Sequence, residues 1–263
     1  MALVDISALF TPAPLDPERL IPNQVYQTWK RPCVDETMAR VMTAFRQVNA
    51  GFGFHFFDDA RMQAYMDEVW GGHDIHGVFT ATRHGAARAD IWRYCILYER
   101  GGVYLDIDST LKIKLDELPK GIAELISFET NPLLSQTDPA LFPEDARYLA
   151  PPPALLHPGH LVLNWCLMFC PKHPVLERVI ERICRHASRY RGVSFENVAQ
   201  AIFHFSGPLV LTQAVWDHVE AGNRIKQAGF DFDGQGLFKI PRAATLYEAA
   251  PHYSTARHQA ILG

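Results

Sequence analysis

Apolar positions run along this chain in two rhythms. Val25–Trp29 and Phe52–Phe57 are short, β-branched and aromatic, the second closed by Asp58-Asp59, and both read as strands. Met38, Val41, Met42, Phe45 and Val48 recur at helical spacing, and residues 60–70 do the same up to Gly71-Gly72. Ile91, Cys95 and Tyr98, with Tyr94 and Leu97 beside them, predict another helix, ended by Gly101-Gly102. Val103-Tyr104-Leu105 is then a strand that runs out in Asp106 and Asp108. Ala123–Phe128 and Leu161–Phe169 read as further strands. Val175, Leu176, Val179, Ile180, Ile183 and Cys184 mark a long helix, and Leu209–Val219 a last one, stopped by Gly222. Strands alternating with helices predict an α/β fold: a Rossmann-type, mostly parallel central sheet flanked by helices.

Two stretches fall outside these rhythms. Residues 1–19, with Pro12, Pro14 and Pro17, read as an N-terminal tail ahead of a single domain over 20–263. Residues 131–160 are rich in proline, including Pro151-Pro152-Pro153, and read as a long loop. Such loops in compact domains often serve as lids or binding loops. The acceptor side of a site is the expected place for this one, with a plain surface loop as the alternative.

The chemistry concentrates at Asp106 and Asp108. Carboxylates at i and i+2 of an extended chain point to the same side. Like charges that close repel unless a cation separates them. A hard divalent ion, Mn2+ or Mg2+, is suited to that task because it takes oxygen ligands and commonly keeps a substrate phosphate among them. Capping of the following Asp-Ser-Thr turn is the plainer role. Asp90 and Arg93, three apart on one helix face, are either a structural ion pair or part of a polar cleft. Tyr104 counts among the cofactor-binding candidates, with core packing as its simpler role. His73, Asp74 and His76 match no zinc spacing and read as a surface turn. Cys166 and Cys170 read as apolar core.

The segment Asp90-Ile-Trp-Arg93, Leu97-Tyr98, Gly101-Gly102 and Tyr104-Leu105-Asp106-Ile107-Asp108 resembles the DXD region of sugar-nucleotide glycosyltransferases. The likeness is to the family 32-like branch, which holds initiating mannosyltransferases, capsular polysaccharide enzymes and toxin-type glucosyltransferases. Leu20–Lys30 resembles that family's first strand, Ile-Pro-x-x-Ile-His-x-x-Trp, with Tyr26 in place of the His. Asn164–Pro174 and Ser206-Gly-Pro208 resemble two later motifs. His258-Gln-Ala-Ile-Leu-Gly263 supplies the His and Gly of the family's closing His…Gly-Ser-Trp, and His252 competes for that role.

The resemblance implies a GT-A-like fold and a metal-dependent, retaining transfer of a hexose from a UDP- or GDP-sugar to a glycan, glycolipid or protein. Asp108 would coordinate the metal, with Asp106 beside it and His258 completing the set. Trp29 would stack on the base, Asp90 would hold donor hydroxyls, and Arg93 would approach the diphosphate. Polysaccharide biosynthesis is the setting that the branch suggests. The competing functions are a catalytically weak nucleotide-sugar or carbohydrate-binding module, and a Mg2+-dependent phosphohydrolase. The latter usually needs acidic or phosphate-loop motifs that do not appear here.

Composition narrows the field slightly. The 263 residues are 48% hydrophobic and 21% charged, ordinary for a globular protein. A formal net charge of −4 offers no nucleic-acid footprint. No run of 18 apolar residues appears, and the N-terminus lacks a basic signal-peptide region. The 5 cysteines form no CxxC, which points to reduced thiols. A cytoplasmic location is the expectation, with room for peripheral membrane contact.

Overall fold

The computed structural model describes residues 3–132, 151–247 and 253–263. Its centre is a 7-stranded sheet. Along the sheet lie β7 (Gln227–Phe230), β4 (Glu124–Pro132), β6 (Cys166–Phe169), β3 (Gly102–Leu105), β1 (Gln24–Thr28) and β2 (Gly53–Phe57). A short β5 (His160–Val162) pairs with β4 off this path. β1 runs parallel to both β2 and β3, and β7 runs parallel to β4. β6 is inserted antiparallel between β3 and β4, so those two still point the same way. The sheet is therefore mostly parallel, with β5 and β6 reversed.

Side chains alternate across the sheet as a period of two requires. Tyr26, Tyr104, Leu167, Phe169, Ile126 and Phe128 face one core. Val25, Val103, Leu105, Cys166, Met168 and Leu125 face the other. The first core is covered by α2 (Asp59–Trp70), α3 (Asp74–Ala81), α4 (Gly85–Arg100), α5 (Pro174–Tyr190), α6 (Val198–Phe205) and α7 (Pro208–Glu220). Phe45 of α1 (Glu36–Val48) packs into the second core.

Three expectations change here. Leu161–Phe169 is two strands, because residues 163–165 leave the ladder and carry Asn164 and Trp165 into the site described below. His73-Asp74 opens a helix: the His73 ring accepts the Ile75 N–H at 3.1 Å, and His76 meets Asp67 at 2.7 Å. The buried Ile75, Val78 and Phe79 supply that helix's apolar face. Residues 3–19 lie on the fold: Ile6 is buried, Val4 pairs with Val34, and the Phe54 N–H donates to the Thr11 carbonyl at 2.8 Å. Most of the proline-rich 131–160 segment, and His252, lie outside the described residues. The described end of that segment packs on β7, where Leu156 N–H donates to Gln227 Oε1 at 2.8 Å.

Helix α4 is the organising element. Ile91, Trp92, Tyr94, Cys95, Ile96 and Leu97 are all fully buried, so apolar residues surround it. A helix with so many fully buried apolar residues belongs in a core, and its buried Asp90 and Arg93 then need partners there. Its two following glycines are sterically required. Gly101 has φ +63° and Gly102 φ +108°, and a Cβ on either would come within 2.6 Å of neighbouring atoms, Pro171 Cδ and the Gln24 carbonyl respectively. They turn the chain from α4 straight into β3, and so set Asp106 against the α4 residues Asp90 and Arg93. Val198–Glu220 is long and apolar enough, by length and composition, to cross a membrane, but it is broken at Ser206-Gly207 into α6 and α7 and is mostly buried in the core.

Candidate functional site

A cavity of about 980 Å3 opens at the carboxyl ends of the parallel strands, where ligands bind in open α/β sheets. β1 contributes Thr28 and, just beyond it, Trp29 and Lys30. The chain beyond β3 contributes Asp106 and Asp108, β4 contributes Glu129, and the end of β7 contributes Asp231. Asp90 and Arg93 reach it from α4.

Asp106 and Asp108 do not lie on extended chain as expected. β3 ends at Leu105, and the Ser109 N–H donates to the Asp106 carbonyl at 3.0 Å, closing a turn. The turn buries Ile107 among Ile6, Val34 and Met38, which leaves the flanking carboxylates separate partners. Asp106 Oδ1 accepts the Tyr104 hydroxyl at 2.6 Å and lies 3.4 Å from the Arg93 guanidinium. Asp108 Oδ2 accepts the Tyr247 hydroxyl at 2.7 Å. The two still feel each other's charge: burial raises the Asp106 carboxyl to about 6, against the pull of Arg93 and with Asp108 adding to the rise.

Arg93 ties this floor together. Its guanidinium lies 3.2 Å from Asp90, donates to the Asn164 carbonyl at 2.7 Å, and stacks 4.2 Å from the Tyr104 ring centre. Burial works against its charge, yet Tyr104, Asp106 and Asp90 outweigh burial and its pKa is raised. Asp90 also accepts from Asn164 Nδ2 and Ser206 Oγ, each at 3.1 Å. Burial pushes Asp90 up to about 7, with Arg93 opposing. The motifs at 90–93, 164 and 206 thus converge on one carboxylate. Tyr94 joins them, its hydroxyl donating to Asn164 Oδ1 at 2.9 Å.

Tyr104 is both core and site. It is almost fully buried, supports Arg93 and orients Asp106. Trp29 is half-buried, lines the cavity and meets the Tyr247 ring edge-on at 5.5 Å. His258 is not with these residues. It lines an adjoining hollow with Arg83, His84 and Ser194, and Arg83, His84 and Gln259 of that hollow also border the main cavity. The reason is local: Gln259-Ala260 pairs with Ser194-Phe195, and Leu262 bridges to Thr82 and Arg191, which holds the chain end against that side. Of the expected trio of Asp106, Asp108 and His258, the two acids line the main cavity and His258 borders the hollow beside it.

Sequence reasoning missed Tyr247, Glu129 and Asp231. A polar residue at a strand's carboxyl end could have signalled Glu129; it is raised to about 7 by burial, with the Asn164 N–H opposing. Tyr247 lies in no motif, and only tertiary contact reveals it.

The donor set suits a hard divalent cation. Among the described residues no group of three or more His, Cys, Asp or Glu could hold an ion. Asp106 and Asp108 would be its protein ligands, and a bound phosphate would supply further oxygens. Both contacts of Asp106 fall on Oδ1, so Oδ2 has no hydrogen-bond partner among the described residues. Three buried or half-buried carboxylates, Asp90, Asp106 and Asp108, line the site with one buried cation, Arg93, which pairs with the first two, and a further positive charge would relieve that imbalance.

Residues 23–123 match the glycosyltransferase sugar-binding region containing DXD motif. Inositol phosphoceramide mannosyltransferase 1 of Schizosaccharomyces pombe is 26% identical over 215 residues, covering 81% of this chain and 56% of that protein. The initiation-specific alpha-1,6-mannosyltransferase of Candida albicans is 22% identical over 220 residues, 78% of this chain and 55% of that protein. The chain thus spans about half the length of these relatives. Among solved structures, PaToxG glycosyltransferase superposes with a TM-score of 0.50 at 14% identity, covering 80% of this chain and 72% of that one. At that identity the likeness concerns the fold.

Proposed function

Residues 23–123 carry the DXD-containing glycosyltransferase region, and from that premise we propose that the chain transfers a hexose, with mannose the first candidate, from a nucleotide-diphosphate sugar to a carbohydrate, lipid or protein acceptor, with metal dependence and retention at the anomeric carbon. One observation carries the proposal. The Asp90–Arg93–Asp106 cluster and Asp108 sit together at the strand ends of a cavity whose volume falls within the ~300–1,000 Å3 of small-molecule sites. Mannose is suggested by the two relatives, both mannosyltransferases by name.

The residues divide the work. Trp29 offers a ring for the base at the strand end. Asp90, held by Asn164 and Ser206, is a fixed acceptor for sugar hydroxyls. Arg93 is locked between Asp90 and Asp106, so its charge is available to the donor without reorganisation, the arrangement that makes electrostatic stabilisation effective. Asp106 and Asp108 would hold Mn2+ or Mg2+, which supplies Lewis-acid stabilisation of a departing diphosphate. Glu129 and Asp231 line the same cavity and give the acceptor hydroxyl polar partners. The leaving phosphate itself would take the acceptor proton in a front-face displacement.

The test is direct. UDP- and GDP-sugars are screened by thermal shift with and without Mn2+, and hits are incubated with glycan and glycolipid acceptors. Transfer predicts free nucleoside diphosphate together with a glycosylated acceptor. Metal-dependent binding without product in any acceptor would make the chain a binding module. Orthophosphate release from simple phosphate esters would make it a hydrolase.

A further inference from the structure

The buried charges of the site are committed to one another. Arg93 answers Asp90 and Asp106, and a divalent ion between Asp106 and Asp108 would be neutralised by those two carboxylates. Together those groups carry no net positive charge, so a donor diphosphate gains from a further cation, and Lys30, Arg83, Lys239 and Arg257 line the cavity. Lys239 lines the same cavity, and among the described residues it makes no ion pair.

Its placement is built. Lys239 has φ +61°, a backbone conformation that side-chain-bearing residues seldom adopt. The next N–H, of Ile240, donates to the Asp108 carbonyl at 2.7 Å, and the Ile240 side chain is buried. Lys239 is thus anchored one residue away from the backbone of Asp108. Its ammonium lies 5.3 Å from the Phe238 ring centre and 5.8 Å from that of Tyr247, whose hydroxyl holds Asp108 and whose ring edge meets Trp29. The lysine therefore belongs to the group that links the candidate base platform to the candidate metal ligand.

We propose that Lys239 binds the diphosphate of the donor, adding a positive charge beside the one that the Asp106–Asp108 floor would hold. A compact ammonium on a flexible stem suits a phosphate contact, and aromatic faces hold it near the cavity while it is unengaged. The proposal rests on the nucleotide-sugar function above. Lys30, Arg83 and Arg257 also line the cavity, but among the described residues no backbone contact ties any of them to Asp108.

Calorimetric titration in Mn2+ tests it. Whichever of UDP and GDP the wild type binds is compared with its nucleoside, in wild type, Lys239→Ala, Lys239→Arg and Lys30→Ala. Lys239→Ala is expected to weaken diphosphate binding about 10- to 100-fold, the range for a hydrogen bond to a charged group. Nucleoside affinity should hold, and Lys239→Arg should recover most of the loss. An equal loss for the nucleoside would make Lys239 a packing residue and overturn the proposal, as would unchanged diphosphate binding or a diphosphate-specific loss in Lys30→Ala alone. If the wild type binds neither UDP nor GDP, the nucleotide-sugar function itself falls, and Lys239 with it.

Discussion

Arg93 lies 3.4 Å from Asp106, a buried guanidinium on a helix meeting a carboxylate just past the neighbouring strand. The double glycine between them forces that meeting, since no side chain fits at either position. Asp90 shares the same guanidinium at 3.2 Å, so removing Arg93 strands two carboxylates at once.

Arg93→Ala should therefore cost about 3–5 kcal/mol of stability, the usual penalty for breaking a buried pair from one side. Arg93→Lys should recover only part, because an ammonium cannot reproduce the planar fork that serves Asp90, Asp106 and the Asn164 carbonyl. Urea unfolding of both variants measures this. A loss below ~1 kcal/mol for the alanine would show that the cluster is not mutually dependent.

Asp106→Asn and Asp108→Asn should each abolish Mn2+-dependent stabilisation by nucleoside diphosphate, and transfer with it. Asn keeps the shape and still accepts from Tyr104 or Tyr247. Because burial raises Asp106 to about 6, its charged form costs stability near neutral pH, so Asp106→Asn should melt no lower than wild type without metal. Thermal shift with and without Mn2+ reads both effects. Retained metal dependence in the double variant would place the ion elsewhere.

Glu129 provides a test in pH. Its carboxyl is raised to about 7 from an ordinary 4.5, so between those values the folded state binds more protons than the unfolded one. Stability contributed by this group then rises as pH falls through 7 and levels off near 4.5. The wild type should gain stability relative to Glu129→Gln as pH drops from 8 to 5.5, measured by paired melts. A flat difference would mean Glu129 is as free to ionise as a surface carboxyl.

Trp29→Ala should weaken nucleotide binding by about 1–3 kcal/mol if the ring stacks on the base, the range for aromatic–base stacking. Trp29 also packs edge-on against Tyr247, so a modest drop in melting temperature is expected as well. Unchanged affinity combined with a large drop would assign the ring to the core alone.

His258→Ala should leave metal-dependent donor binding unchanged, because His258 lines the adjoining hollow and not the cavity that holds Asp106 and Asp108. Calorimetry with Mn2+ and nucleoside diphosphate checks it. A tenfold loss would mean that the chain end moves into the site when donor binds.

Much of this was legible from residues 20–108 alone. Period-two and helical patterns located the elements, and the glycine pair announced the sharp passage from α4 to β3. The Asp-x-x-Arg and Asp-x-Asp spacings named the polar floor, because charges on a fully apolar helix must be answered nearby. Tertiary structure decided the rest. Local sequence carries no information on which distant groups will satisfy a buried carboxylate, so Asn164 and Ser206 became partners of Asp90 only when β6 and α7 were laid against α4. The Tyr247 hydroxyl reached Asp108 from far along the chain, and the Ile240 N–H bond to the Asp108 carbonyl brought Lys239 nearby, contacts that no periodicity encodes. The same geometry set His258 in the hollow beside the site, because Gln259 and Ala260 pair with Phe195 and Ser194. Chain pattern determined the layers and the acids; the packing of remote segments determined which side chains share their charge.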